Sequence, residues 1–226
     1  MKTNKLKVLF YEDSEGKYFP KQNHSIIFAN RIIENKMDNF KQFLKNLAPI
    51  TDKEFAESIS FFSEKNLKKG DFFVIQDQVC RHIGFVMKGS LRTYYLNDKG
   101  EEITSCFCIE NKWTTSYKSF LLQQPSKLSV QAIEDTALIV IEYNNLQKLY
   151  KSSPAWQNIG RVVAEQEFIL MEKYASMLNN ESAKEKYYRL LKEQPNVLQK
   201  ANIEHIASYL GVTRRTLSRI RHEIMK

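Results

Sequence analysis

The spacing of apolar residues changes character three times along the chain, and each change predicts a different kind of element. Over 38–64, Phe40, Phe43, Leu44 and Leu47, then Phe55, Ile59 and Phe62, recur at intervals of three and four, which predicts two short helices around Pro49. Thr51 followed three residues later by Glu54 supplies a capping box for the second helix. From Leu67 to Glu142 the chain breaks into short runs rich in β-branched and aromatic residues: KKGDFFVIQDQ, HIGFVMKGS, LRTYYLND, KGEEITSCFCIEN and LSVQAIEDTALIVIEY. Gly70, Gly89 and Gly100 stand at run boundaries. Short strands at this spacing predict a β-roll or barrel of about 75 residues, and because it follows helices instead of alternating with them the class is α+β.

Beyond the roll the helical period returns. Leu146 to Tyr150 reads as a brief helix, and Ser152-Ser153-Pro154 as the start of another. From Pro154 to about Leu178 the apolar residues Trp156, Ile159, Val163, Leu170, Tyr174 and Met177 keep the three/four spacing. A helix of that length spans about 37 Å and serves either as a spine or as a coiled-coil seam, although Gln166 and Lys173 interrupt a strict heptad. Ser182 and Glu185 form a second capping box, opening a helix through Tyr187, Leu190 and Leu191 that Pro195 ends, with VLQKA as a connector. Asn202 is placed to cap IEHIASYL, Gly211 breaks that run, and Thr213 caps RRTLSRIRHEIM.

This last segment carries the clearest chemistry. Ile203, Ile206, Ala207 and Leu210 make one apolar stripe and Val212, Leu217, Ile220 and Ile224 the facing one, so the two helices bury each other across a glycine turn. That packing leaves Arg214, Arg215, Ser218, Arg219 and His222 on the outer face. Arginine can bond bidentately to the guanine edge, while the Thr213 hydroxyl and the helix N-terminus suit a phosphate oxygen.

Charge sharpens the picture. The whole chain carries 34 Lys+Arg against 26 Asp+Glu, a net +8. Residues 183–226 hold ten basic and four acidic residues, or +6, while 37–182 hold 17 and 18, or −1, and 1–36 hold seven and four, or +3. A compact basic segment on a near-neutral body is the footprint of a phosphate-backbone partner. Hydrophobic residues at 42% exclude wholesale disorder, and no apolar run reaches the roughly 18 residues a membrane span needs. Three cysteines, Cys80, Cys106 and Cys108, are too few for a disulfide framework and fit a reducing cytoplasm.

The run IASYLGVTRRTLSRI closely resembles the winged-helix signature of the Crp/Fnr family of bacterial transcription regulators, and the resemblance extends from about Asp38 to Lys226 through the KKGD and VMKGSLR turns. It implies a cyclic-nucleotide-binding-like sensor over 37–152, a long dimerisation helix over 153–180 and a helix-turn-helix domain over 181–226; the Lys/Asn-rich, aperiodic 1–36 reads separately as a leader or extension, with Met37 an alternative or true start. It implies a homodimer seamed by Trp156, Ile159, Val163, Leu170 and Met177. Double-stranded DNA, read as a near-palindromic operator, and RNA polymerase are the implied partners. By the same resemblance Thr213, Arg214, Arg215, Thr216, Ser218 and Arg219 form the DNA-contact set, with Arg214, Arg215 and Arg219 at the base-reading positions. Arg215 departs from the glutamate of the best-known members, and the run after the recognition helix is short for the family's terminal strand pair.

The effector cassette departs further. The family's pocket uses a Gly-Glu pair for the ribose and an Arg-Ser or Arg-Thr pair for the cyclic phosphate. Alignment on Val130-Gln131-Ala132 puts Thr115-Ser116 and Ser126-Lys127 at those places. Without the arginine a buried phosphate loses its bidentate partner, so tight cyclic AMP binding is not expected and no cofactor is assigned. Three cysteines fall short of an iron–sulfur site, and His24 and His82 are isolated. His205 and His222 lie in the basic segment, so a cupin-type enzyme has no ligand cluster. The competing reading is a small-molecule sensor whose basic tail contacts protein or RNA.

Overall fold

The computed structural model describes residues 10–12, 18–20 and 37–224. It divides into two units, residues 1–43 and 44–226. In the first, strand β1 (Phe10–Glu12) pairs antiparallel with β2 (Tyr18–Pro20), Phe10 opposite Pro20, where the sequence offered no periodicity. The leader reading of 1–36 otherwise lies outside the described residues. Residues 37–47 form helix α1.

In the second unit helix α2 (Asp52–Ser58) starts at the expected capping box: Glu54 N–H donates to Thr51 Oγ1 at 3.2 Å and Thr51 N–H to Glu54 Oε2 at 2.8 Å. A 3-10 turn, Ile59–Phe61, then leads into strand β3 (Phe62–Leu67). The expected helix to residue 64 is therefore corrected. Phe62 continues the helical spacing only by coincidence, because the backbone of 62–67 is engaged by strand β10 (Thr136–Glu142), Phe62 facing Ile141 and Leu67 facing Thr136.

The remaining strands are β4 (Phe72–Val74), β5 (His82–Lys88), β6 (Leu91–Leu96), β7 (Glu102–Cys108), β8 (Trp113–Thr114) and β9 (Ser129–Ala132). They form two antiparallel sheets, β3-β10-β5-β8 and β4-β9-β6-β7, the expected roll. Leu138 through Ile141 are all buried because both faces of β10 are covered. Gly84 of the neighbouring strand leaves room for the Phe73 ring, which a Cβ there would meet at 2.9 Å, and Ile141 joins an apolar cluster with Ile83, Trp156 and Ile159. At the β5–β6 turn Gly89 has φ of 91°, and a Cβ there would meet Thr136 Oγ1 at 2.6 Å, so only glycine fits.

Helix α3 (Tyr117–Leu122), absent from the sequence reading, bridges β8 to β9. Helices α4 (Tyr143–Ser152) and α5 (Pro154–Asn180) follow, then α6 (Ala183–Glu193), α7 (Pro195–Lys200), α8 (Ile203–Leu210) and α9 (Arg214–Ile224). The VLQKA segment is thus helical and not a connector: Pro195 ends α6 and occupies the first turn of α7, where its missing N–H costs nothing. Val197 locks α7 in place inside one core with Tyr187, Leu190, Ile206, Ala207, Leu210, Leu217 and Ile220. Phe107 and Ile133 of the roll belong to the same core, so the C-terminal helices are docked on the second sheet.

Candidate nucleic-acid interface and sensor cassette

The α8–α9 turn is built as the sequence suggested. Gly211 takes the left-handed conformation, φ 71°, its N–H donating to Ser208 O at 3.0 Å while Val212 N–H reaches Ala207 O at 3.0 Å. A residue with a Cβ would be strained there by about 1–2 kcal/mol. Asn202 sits at the cap position of α8 but its side chain makes no cap bond. Thr213 caps α9: its Oγ1 accepts Thr216 N–H at 3.2 Å and lies 3.1 Å from Thr216 Oγ1. The Thr213 hydroxyl read as suiting a phosphate is therefore already engaged within the turn.

Leu217 and Ile220 are buried, which turns Arg214, Arg215, Ser218, Arg219 and His222 outward along one exposed face. Arg214 Nη1 lies 2.9 Å from Glu204 Oε1, and Arg219 Nε 4.0 Å from Glu223 Oε1, which also meets Lys184. These pairs are solvent-exposed and exchange readily for phosphate. Arg215 makes no ion pair among the described residues. The face is a continuous strip of cations and hydroxyls on a rigid helix, suited to a polyanion.

Behind it lies a seam that the sequence did not reveal. Helix α8 covers the edge strand β7: Ser208 Oγ donates to Glu102 O at 2.9 Å and accepts Thr104 N–H at 2.9 Å, satisfying an edge that would otherwise be unpaired. The rings of Phe107 and Tyr209 lie 5.4 Å apart. On β6, Arg92 is only 2% exposed. Its Nη2 donates to Glu102 Oε2 at 2.5 Å and to Gln131 Oε1 at 2.7 Å, and its guanidinium lies 4.1 Å from the Tyr94 ring centre. His205 on α8 is half-buried over this group; burial first, then the charges of Arg92 and Lys69, push its pKa below the usual value. A lone arginine in the apolar run LRTYYL was the available signal for this seam.

The four cassette positions come together in part. Ser116 and Ser126 are both buried, with their Oγ atoms 2.8 Å apart. Ser126 Oγ also lies 2.7 Å from Leu128 O and accepts Leu128 N–H at 3.2 Å. Thr115 Oγ1 donates to His82 O at 2.9 Å, and Lys127 is exposed. The hydroxyls bond one another and the backbone, and among the described residues no cation joins them at the cassette.

Along α5 the apolar residues divide between two faces. Trp156 and Ile159 are buried within the protomer, the Trp156 ring 5.2 Å from that of Phe62, so the roll itself packs on that face of the helix. Val163 and Leu170 are half-buried, and the Met177 side chain lies outside the described residues. Large apolar groups reach solvent instead at Phe168, Ile169 and Met171.

The three cysteines are unpaired, and burial pushes the Cys106 and Cys108 thiols up, away from the reactive thiolate form. Among the described residues no group of three or more His, Cys, Asp or Glu could hold a metal, and no helix is long and apolar enough to cross a membrane.

Residues 64–153 match the family described as Cyclic nucleotide-binding domain. None of the curated proteins matches the chain. Among solved structures, a chain assigned to the Crp/Fnr family of transcriptional regulators from Eubacterium rectale is 21% identical, with 80% of this chain and 88% of that one covered and a TM-score of 0.58. FixK2 from Bradyrhizobium japonicum is 20% identical over 73% of this chain and 84% of its own, with a TM-score of 0.60. The c-di-GMP responsive regulator CLP from Xanthomonas campestris is 13% identical over 77% and 92%, with a TM-score of 0.62. The roll is thus similar to cyclic nucleotide-binding domains over 64–153, and the chain shares the fold of these structures, a two-sheet roll, a long helix and a C-terminal group of short helices, as the fold class anticipated.

Proposed function

We propose that the protein is a homodimeric, sequence-specific DNA-binding transcription regulator of the Crp/Fnr type, with no enzymatic activity. The observation that carries this reading is the exposed face of α9, where Arg214, Arg215 and Arg219 stand on a helix whose opposite side is buried. Thr213, Thr216 and Ser218 flank them, holding the N-terminal turn at the groove. The dimer forms through the exposed half of α5, around Phe168, Ile169 and Met171 instead of Trp156 and Ile159. Two recognition helices related by a two-fold axis place half-sites about 34 Å apart on a near-palindromic operator. The protein works in the cytoplasm, beside RNA polymerase.

The cassette supports a sensor that does not hold cyclic AMP tightly. A cyclic phosphate would have to break the Ser116–Ser126 contact and would gain no bidentate cation in exchange. Calorimetry with cyclic AMP and cyclic GMP checks this, and micromolar binding of either refutes it. The central test is selection from a random duplex pool. An enriched dyad, bound with an affinity that falls steeply with salt, is the expected result. A pool without a dyad and a flat salt profile would instead leave the basic segment as a contact for protein or RNA.

A further inference from the structure

We infer that the cleft where the roll, α5 and the DNA-reading helices meet binds a small aromatic carboxylate, one ring bearing one acid group. The cleft measures about 210 Å³. That is below the roughly 300–1,000 Å³ of sites for drug-sized ligands, and so suits a single ring. Three phenol rings line it, Tyr95 from β6, Tyr174 from α5 and Tyr209 from α8, with Lys186 and Arg189 from α6. It is separate from the Ser116–Ser126 cassette, with which it shares no residue.

The decisive group is Thr104 on β7. It lines the cleft, is 3% exposed, and its Oγ1 is buried with no hydrogen-bond partner. Its own N–H is already used by Ser208, so the hydroxyl is the side-chain group without a partner, buried in the cleft wall. A buried hydroxyl without a bond is costly, and a ligand that supplies an oxygen recovers that cost. Arg189 Nη1 donates to Tyr209 Oη at 3.1 Å, and Arg189 Nη2 lies 3.2 Å from Glu181 Oε2, so the guanidinium is held in place and largely neutralised. Lys186 then leaves a local charge near +1, which matches a monoanionic carboxylate better than a dianionic phosphate. Burial keeps the Tyr174 and Tyr209 phenols neutral, and therefore hydrogen-bond donors.

A molecule in this cleft would touch β7, α5, α6 and α8 together and tie the reader helices to the sensor. That consequence rests on the DNA-reader reading; the binding itself does not. The test is calorimetry on the full chain with 4-hydroxybenzoate, with acetate as an anion lacking a ring and phenol as a ring lacking charge. We expect saturable binding of 4-hydroxybenzoate about tenfold or more tighter than either control. Thr104→Val should weaken it about two- to tenfold while raising the melting temperature of the ligand-free protein, because the unbonded hydroxyl is gone. Lys186→Ala should weaken it about tenfold without changing the melting temperature. Failure of 4-hydroxybenzoate to saturate, equal binding of acetate or phenol, or unchanged affinity in Thr104→Val would each overturn the inference. Since no DNA enters the measurement, binding of the acid by a protein that ignores duplex would defeat the regulator reading and leave this one standing.

Discussion

Phe168 stands at 70% exposure on α5, with Ile169 at 64% and Met171 at 67% beside it, so a partner that covers this patch gains nearly the full transfer free energy of each side chain. Full burial of a large apolar side chain is worth about 1.5–3 kcal/mol, and 70% of that is about 1–2 kcal/mol. Two-fold symmetry counts the residue twice, so Phe168→Glu removes about 2–4 kcal/mol from the dimer, a weakening of roughly 30- to 1,000-fold. The new carboxylate would also face Glu165 and Glu172 across the same helix turns, adding like-charge repulsion on both copies. Because Phe168 is already solvated in the protomer, thermal unfolding of the monomer should shift by no more than about 0.5 kcal/mol equivalent. Light scattering across a dilution series reads the dimer constant, and calorimetric unfolding reads the protomer. A variant that remains dimeric at the wild-type constant places the seam elsewhere. One that loses its fold shows that Phe168 is not the solvent-facing group described.

Other perturbations separate the reader from the seam behind it. Arg219→Ala should cost about 1–3 kcal/mol on the selected operator and blur one base position, with no loss of stability because its pair with Glu223 is exposed; equal weakening on every duplex would make Arg219 a backbone contact only. Arg92→Ala should destabilise by about 2–3 kcal/mol in urea unfolding, below the usual range for a broken buried pair because Glu102 stays 43% exposed, whereas Arg92→Met should cost under about 1 kcal/mol. If the methionine variant is as unstable as the alanine one, volume is not what the site requires. His205 has its pKa lowered by burial, then by Arg92 and Lys69, against the opposing pull of Glu102 and Glu204. The unfolded chain therefore protonates first, and stability fully present above about pH 6.5 is lost as pH falls from there through the lower pKa of the folded state. His82, lowered by burial and by Lys65, adds the same sign. His205→Gln should flatten part of this acid limb, and an unaltered limb would remove His205 from the account.

What was legible in the sequence was whatever local chemistry alone decides. Thr51 with Glu54 and Ser182 with Glu185 are complete capping boxes within four residues, and Gly211 with Thr213 fixes a turn from inside itself. The arginine face of α9 was readable for the same reason, since the burial of Leu217 and Ile220 dictates which side remains. Phe62 misled because a strand residue happened to continue a helical spacing, and only its pairing with Ile141, far along the chain, decides its state. Trp156 and Ile159 show a different limit: an amphipathic stripe says that a face is buried, not whether the roll or a second copy buries it. Phe168, Ile169 and Met171 lie almost adjacent in sequence, so they formed no stripe to notice. The cassette's lack of an arginine was visible, but closure of Ser126 on Ser116 required the fold.

The seam also constrains how such a protein could switch. Lifting α8 from β7 would expose Phe107 and Ile133, about 3–6 kcal/mol of apolar burial, and would break both bonds of Ser208, reopening a strand edge. Each 1.4 kcal/mol is a factor of ten, so a spontaneously released α8 would be populated at roughly one part in a hundred to one in ten thousand. A rearrangement that slides the reader while keeping Phe107 covered avoids most of that cost. An effector can move the equilibrium only by its own difference in affinity between the two arrangements. A ligand that contacts the roll alone has such a difference only where the roll itself differs between the two arrangements. The groups that meet across the seam, Thr104 and Glu102 with Ser208 and Phe107 with Tyr209, are where such a difference would be felt directly.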